Sequence, residues 1–257
     1  MAVNERFDLA GRSVVITGGG KGIGKVYAEE FAKAGARVAA ADIDAAAATA
    51  VAEALCGAGF DVMALGVDIA SETATAAMMQ AVLDRYGRID VLINNASLMS
   101  VLPRRSWLEI PVDEWDQVMA VNLRGMFLCC RAAFPAMKAQ QRGKIVNISS
   151  SRVWEGAPNR LHYTTSKAGV IGFTRALARE VGEFGITVNA ITPGMTQSET
   201  QVATSSGNYL ASRIAGRAIE RVQVPTDLVG AVMFLSSSAS DFMTGQTINV
   251  DGGKSMH

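Results

Sequence analysis

A chain of 257 residues with 49% hydrophobic and 19% charged residues can bury a sizeable core, and doubly wound α/β chains of this length commonly form one domain. Lys+Arg and Asp+Glu both number 24, so the formal net charge of zero gives no support for nucleic acid or an anionic membrane as a partner. MAVNERFDLAGR lacks the apolar run of a signal peptide and no 18-residue apolar span follows, while Cys56, Cys129 and Cys130 lack metal-ligand spacing; the expectation is a cytoplasmic protein with buried, reduced thiols.

In chain order, SVVIT (13–17) is a short apolar run that stops at glycines. A helix is expected from about Gly22 to Ala34, with Gly35 closing it. RVAAAD (37–42) reads as a second strand, 44–55 as an alanine-rich helix and DVMALGVD (61–68) as a third strand. SETATAAMMQAVLDRYG opens with a capping-box pattern at Ser71 and continues as a helix. IDVLINN (89–95) is a fourth strand, followed by two helical stretches over about 113–121 and 122–139. KIVNIS is a fifth strand; a helix around Tyr163, ITVNAIT (186–192), a polar loop, a helix over about 226–237 and QTINVDGG complete the chain. Strand and helix alternate, and the strands are apolar on both faces. That pattern predicts an α/β fold: a doubly wound, Rossmann-type parallel sheet of about seven strands with helices on both faces. No repeat or linker divides it, so 1–257 is expected to be one domain, with a Ser/Thr/Gly-rich substrate lid around 195–221.

TGGGKGIG (17–24) places Gly18, Gly22 and Gly24 between the first strand and its helix. Glycines there let backbone approach a pyrophosphate, which the helix N-terminus holds through its N–H groups and dipole. The spacing is GxxxGxG rather than GxGxxG, and by itself it also fits a tight strand-to-helix turn. Asp42 ends the second strand, where an acid accepts hydrogen bonds from an adenosine ribose and repels a 2′-phosphate. Lys21, inside the glycine loop, is a cation that could meet that phosphate. The acid weighs more, so NAD is expected rather than NADP.

Tyr163 and Lys167 stand four apart in a helical pattern, so phenol and ammonium share one face. A cation about 4 Å from a phenolate, at an effective dielectric near 20, interacts by roughly 4 kcal/mol. At about 1.4 kcal/mol per pKa unit, such a contact could bring a tyrosine from about 10 toward 7, where it can exchange a proton at neutral pH. Thirteen positions before Tyr163, Ser150 ends the fifth strand, where its hydroxyl would face a crevice. Ser, Tyr and Lys converging on one carbonyl or alcohol oxygen make a proton-transfer site; a surface Tyr–Lys pair and a turn serine is the plainer alternative.

With TGGGKGIG, Asp68, NNA (94–96), Asn122, Ser150, YTTSK (163–167), PG (193–194) and GQTINVDGG, the chain resembles the short-chain dehydrogenase/reductase family over almost its full length. The resemblance implies Tyr163 as general acid/base, Lys167 lowering its pKa and binding the nicotinamide ribose, and Ser150 steadying the substrate oxygen. Asn122 would link a proton-relay water to the lysine. Gly18, Gly20, Lys21, Gly22, Ile23 and Gly24 would cradle the cofactor phosphates, with Asp42 and Ile43 at the adenosine ribose. Asp68 and Ile69 would contact adenine, Asn95 and Ala96 the adenine-side ribose, and Pro193, Gly194 and Thr196 the nicotinamide end. The family also implies a homotetramer paired through helices near 113–139 and 162–184.

Two positions depart from the family's usual pattern: Ser97 follows NNA, and Ser151, Arg152, Val153 and Trp154 follow the catalytic serine where glycine is common. Both lie where substrate would sit. Leu98, Met99, Arg152, Val153, Trp154, Met195 and Tyr209 are candidate substrate contacts on loops at the carboxyl ends of strands, where open α/β sheets bind ligands. Arg104, Arg105 and Arg152 could hold a carboxylate or simply be solvated, and His162 reads as cap or packing. APNRLHY and TGQTINVDGG look similar to members oxidising ring-bearing alcohols, such as pyridoxal 4-dehydrogenase and 1-phenylethanol dehydrogenase. The implied activity is hydride transfer between NAD and a secondary, possible ring-bearing or benzylic, alcohol or ketone. The alternatives are an NADPH-dependent 3-oxoacyl thioester reductase and a non-catalytic nucleotide-binding sensor.

Overall fold

The computed structural model describes residues 6–198 and 214–256. Its elements are β1 (Ser13–Thr17), α1 (Gly22–Lys33), β2 (Arg37–Asp42), α2 (Ala45–Gly57), β3 (Val62–Gly66), α3 (Glu72–Tyr86) and β4 (Val91–Asn94). The chain continues through α4 (Val112–Met119), α5 (Met126–Gln140), β5 (Gly143–Ile148), the one-turn α6 (Arg152–Glu155), α7 (Leu161–Val181), β6 (Ile186–Pro193), α8 (Thr226–Ser236) and β7 (Thr247–Val250). The strands form one seven-stranded sheet in the order β3-β2-β1-β4-β5-β6-β7, with every pair parallel. The strand order reverses between β1 and β4, and that switch opens a crevice at the carboxyl edge.

The unbroken apolar character of the central strands follows from being covered on both sides: every residue of β1, β4, β5 and β6 is buried. Alternate side chains serve opposite faces. Val14 and Ile16 pack with Tyr27, Phe31, Leu228 and Val232 on one side. Val15 and Leu92 pack with Met78, Val82, Cys129 and Met137 on the other. Cys129 and Cys130 are buried as expected, and burial pushes the Cys130 thiol up to about 12; Cys56 is exposed, on the outer face of α2.

Local signals explain several helix ends. Asp44 accepts from the Ala47 N–H at 3.1 Å to start α2, and α3 ends at Gly87 with φ 74°. The capping box expected at Ser71 is only half made. Ser71 Oγ accepts from the Ala74 N–H at 3.3 Å, but an alanine at that third position cannot return the bond. The two helical stretches expected to part near 122 are joined: α4 passes into α5 through a π-helical turn, Ala120–Gly125. Among the described residues no helix is long and apolar enough to cross a membrane.

Candidate active site

The crevice at the carboxyl edge is a cleft of about 620 Å³. One end is built by the loops after β1, β2 and β3. Gly18 and Gly22 take φ of 66° and 56°, the left-handed region that favours glycine. Gly18 also lies against the loop after β4, where an added Cβ would stand 3.0 Å from the Asn95 amide nitrogen. Asn95 Nδ2 donates to the Thr17 and Gly18 carbonyls at 3.0 and 3.1 Å, lacing the two loops together. Gly18, Lys21, Gly22, Ile23, Asp42, Ile43, Asp68, Ile69, Asn95 and Ala96 all line this end. Gly20 and Gly24 stand behind it. A Cβ on Gly24 would overlap the Gly18 carbonyl, and the Gly20 N–H donates to Asp42 Oδ2 at 3.0 Å.

Asp42 therefore ends β2 with its carboxylate tied to the glycine loop and, through Oδ1, to the Asp44 N–H at 3.0 Å. Lys21 is drawn aside to Asp44, Nζ to Oδ2 at 2.6 Å. That contact, with the Ala47 N–H, holds the Asp44 carboxyl below its ordinary pKa.

The other end is built by the chain after β5, the first turns of α7 and the chain after β6. Ser150, Tyr163, Lys167, Pro193, Gly194 and Thr196 line it. Tyr163 and Lys167 are 6% and 3% exposed, with the ammonium 5.8 Å from the ring centroid. Ser149 Oγ donates to the Lys167 carbonyl at 2.7 Å and Lys167 Nζ to the Ile148 carbonyl at 2.8 Å, so helix and strand end are fixed together. The Ser150 hydroxyl hydrogen-bonds the Tyr163 phenol.

The expected tuning takes a different form. Burial is the largest influence on Tyr163 and holds its phenol above the ordinary value; Ser150, Arg152 and Arg160 pull it back down. Lys167 is not among those groups, because burial works on it too and lowers its own pKa to about 7. The ammonium is directed at a backbone carbonyl and is itself poised to lose its proton.

Asn122 sits in the π turn, and its side chain is committed to local bonds. Oδ1 accepts from the Leu98 N–H at 2.8 Å and from Ser97 Oγ at 3.2 Å, and Nδ2 donates to Ser166 Oγ at 3.0 Å. It ties the loop after β4 to α7, and Lys167 is not one of its partners. π turns are enriched where a helix must place a group off the regular repeat. His162 is fully buried with Nε2 3.1 Å from Glu114, joining α7 to α4 rather than capping a helix. Arg105 lies 3.3 Å from the same Glu114.

Leu98, Met99, Arg152 and Met195 line the cleft as expected. Trp154 does not. The one-turn α6 rotates it away, its indole N–H donates to Thr192 Oγ1 at 3.3 Å, and it borders a separate cavity of about 840 Å³ with Arg175 and Arg179. Val153 is likewise off the cleft lining, and Tyr209 and most of the expected lid lie outside the described residues. Arg160 and Glu155 are lining residues not anticipated from the sequence. Arg160 precedes Tyr163 by three, the spacing of neighbours on a helix face, and that was the available signal. Among the described residues no cluster suited to a metal ion is present.

A family model described as short chain dehydrogenase matches residues 12–208. A short-chain type dehydrogenase/reductase of Bradyrhizobium diazoefficiens, itself assigned by inference, is 43% identical over 96% of this chain and 88% of its own. The hydroxy(phenyl)methylsuccinyl-CoA dehydrogenase subunit BbsD of Thauera aromatica is 37% identical over 96% of this chain and 98% of its own. A crystal structure from Agrobacterium tumefaciens, provisionally assigned as a gluconate dehydrogenase, matches with a TM-score of 0.90 at 35% identity, covering 97% of this chain and 98% of that one. The narrower likeness to pyridoxal 4-dehydrogenase finds no confirmation in these relatives.

Proposed function

The chain belongs to the short-chain dehydrogenase family of oxidoreductases, and on that premise we propose that it transfers hydride between a secondary alcohol or ketone and NAD, with Tyr163 exchanging the proton. The observation that carries this reading is one continuous cleft with a glycine-and-carboxylate end and a Ser150–Tyr163–Lys167 end. A nicotinamide cofactor bound along it supplies the hydride acceptor or donor.

The residues present fit such a group. Gly18 and Gly22 keep side chains out of the backbone cradle, and Asp42, with each oxygen accepting one backbone N–H, retains lone pairs for ribose hydroxyls. Lys21, Ile23, Ile43, Asp68, Ile69, Asn95 and Ala96 complete the adenosine half, and Pro193, Gly194 and Thr196 the nicotinamide half. In oxidation the Tyr163 oxygen, as phenolate, takes the proton of the substrate hydroxyl while Ser150 donates a hydrogen bond to the same oxygen. Lys167, in its protonated form, offsets the charge on that phenolate. In reduction the proton returns from Tyr163.

NAD is favoured over NADP by two carboxylates, Asp42 and Asp44, at the ribose end, and by the capture of Lys21 on Asp44. The same pair speaks against the NADPH-dependent thioester reductase. Assembly as a homotetramer through α5 and α7 belongs to the same reading and is supported by exposed Phe127 on α5 and Leu161 on α7; a monomer by light scattering at micromolar concentration would refute it. The central test is a panel of secondary alcohols with NAD, followed by absorbance of the reduced cofactor. No turnover on any of them, in a folded protein that binds NAD, would favour the sensor alternative.

A further inference from the structure

The charged groups of the cleft are sorted by sign along its length. Asp42, Asp44 and Asp68 line the glycine-loop end, whereas Arg152 and Arg160 line the end that holds Ser150 and Tyr163. Both guanidiniums are half-buried and fixed by several bonds each. Arg152 Nη2 donates to the Ala157 and Pro158 carbonyls, both at 2.8 Å. Arg160 Nη2 donates to the Leu102 carbonyl at 2.9 Å and Nη1 to Met99 Sδ at 2.9 Å. Carbonyl and thioether acceptors hold a guanidinium in place without cancelling its charge. The lining carboxylate beside them, Glu155, accepts from Ser151 Oγ at 2.9 Å. Between the two arginines and the phenol the wall is apolar: Leu98 and Met99 pack against Leu102 and Tyr163.

We propose that Arg152 and Arg160 select a substrate bearing a carboxylate next to an apolar body, so that the preferred alcohol is a hydroxy acid and the product an oxo acid. This rests on the dehydrogenase reading above and narrows its substrate class. The chemistry of the reacting carbon is unchanged: the hydroxyl proton goes to Tyr163, the hydride to the nicotinamide, and the carboxylate takes no part in bond making. Its role is orientation, since two rigid cations beyond the proton-transfer groups fix which end of the molecule faces Tyr163. Both arginines also act electrostatically on the Tyr163 phenol in the direction of the phenolate. A bound carboxylate would screen that influence, so acids and neutral alcohols should differ in the pH at which oxidation switches on.

The experiment compares matched acid and amide probes. Turnover is measured with 3-hydroxy-3-phenylpropanoate and its amide, with 1-phenylethanol as the neutral reference. Binding is measured calorimetrically with the unreactive pair phenylacetate and phenylacetamide in the presence of NAD. The expected result is a preference for acid over amide of about tenfold or more in kcat/KM and in affinity, the scale of charge-assisted hydrogen bonds. Arg160→Gln and Arg152→Gln should each shrink that ratio, chiefly by raising KM for the acid, with a smaller effect on the amide. Equal affinity for phenylacetate and phenylacetamide, or a ratio that survives both substitutions, overturns the proposal. Turnover of 1-phenylethanol without any acid preference sinks the carboxylate site alone. Absence of all turnover, with phenylacetate still preferred in binding, sinks the dehydrogenase reading and leaves the site standing.

Discussion

Lys144 and Lys167 are both buried, at 2% and 3% exposure, in a molecule whose charges are otherwise mostly at the surface. Lys144 lies at the amino edge of the sheet with its ammonium 2.8 Å from Asp241. Lys167 lies at the carboxyl edge, donates to the Ile148 carbonyl, and among the described residues has no carboxylate at ion-pair distance. Burial lowers the pKa of both, but Asp241 pulls Lys144 back up, and nothing comparable acts on Lys167, which falls to about 7. A buried lysine supplied with its counter-ion is a structural group. One supplied only with a carbonyl is left with a charge to spend elsewhere, and the phenol of Tyr163 is where the cleft directs it.

The largest expected effect comes from removing the group that uses this charge. Tyr163→Phe keeps the ring that packs with Leu102 and Val118 but deletes the proton acceptor. Turnover should fall by about 10²–10⁴-fold, with folding and NAD binding retained. Retention of more than about a tenth of turnover would mean that the proton leaves by another route. Lys167→Met should follow closely, with a second signature. It loses turnover and also weakens NAD binding in equilibrium titrations, because one ammonium serves the phenol and the ribose.

The order of elements, the parallel sheet, TGGGKGIG and the Ser150–Tyr163–Lys167 set were legible in the sequence, because period, glycine placement and i,i+4 spacing are local facts. What was not legible depended on depth and rotation. The helical face correctly brings Lys167 to Tyr163, but no spacing rule says that both are buried, and burial reverses the expected direction of the phenol's shift. Trp154 follows a serine on the cleft and looks like a substrate contact, yet one turn of α6 carries it to another cavity. The π turn at Asn122 depends on tertiary partners, Leu98 and Ser166, that are distant in sequence. Cys56 was assigned to the interior from its residue type, but the helix turns it outward.

Lys21 sharpens the contrast between a paired and an unpaired lysine, because its exposed ammonium is held by Asp44 at 2.6 Å. Asp42→Ala should narrow the preference for NAD over NADP by about tenfold or more, the scale of hydrogen bonds to a charged acceptor. Asp44→Asn keeps a side-chain oxygen for the cap of α2 but releases Lys21. NADP affinity should then rise by only about two- to fivefold, as expected for an exposed pair. If unmodified protein binds NADP more tightly than NAD, a paired surface lysine still governs the site and the contrast fails.

The depressed pKa of Lys167 also has a signature in stability. In the unfolded chain this lysine keeps its proton up to about 10.4, whereas in the folded protein it loses it near 7. Between those limits the unfolded state binds more protons, so the contribution of Lys167 makes stability rise with pH through that window. Below about 7 the burial penalty is paid in full and no longer changes with pH. Urea midpoints of the protein without added NAD should therefore climb more steeply from pH 7 to 8.5 in the unmodified chain than in Lys167→Met. Equal slopes would mean that Lys167 is charged and well solvated in the folded state.

The smallest effect is expected at the other buried lysine. Lys144→Met removes a cation whose burial is costly and whose partner, Asp241, is 58% exposed and can return to water. Loss of the ion pair and relief of the lysine's desolvation oppose each other, and a methionine of similar length fills the space. Unfolding free energy should change by no more than about 1 kcal/mol. Because Lys144 sits at the edge of the sheet opposite the cleft, kcat and KM should both stay within about twofold of the unmodified protein. A Lys144→Met protein with a large kinetic defect and unaltered stability would show that the two lysines are coupled through β5, the strand that begins beside Lys144 and ends at the Ile148 carbonyl held by Lys167. The expected null result places the chemistry at one edge only, with depth alone insufficient to make a lysine functional.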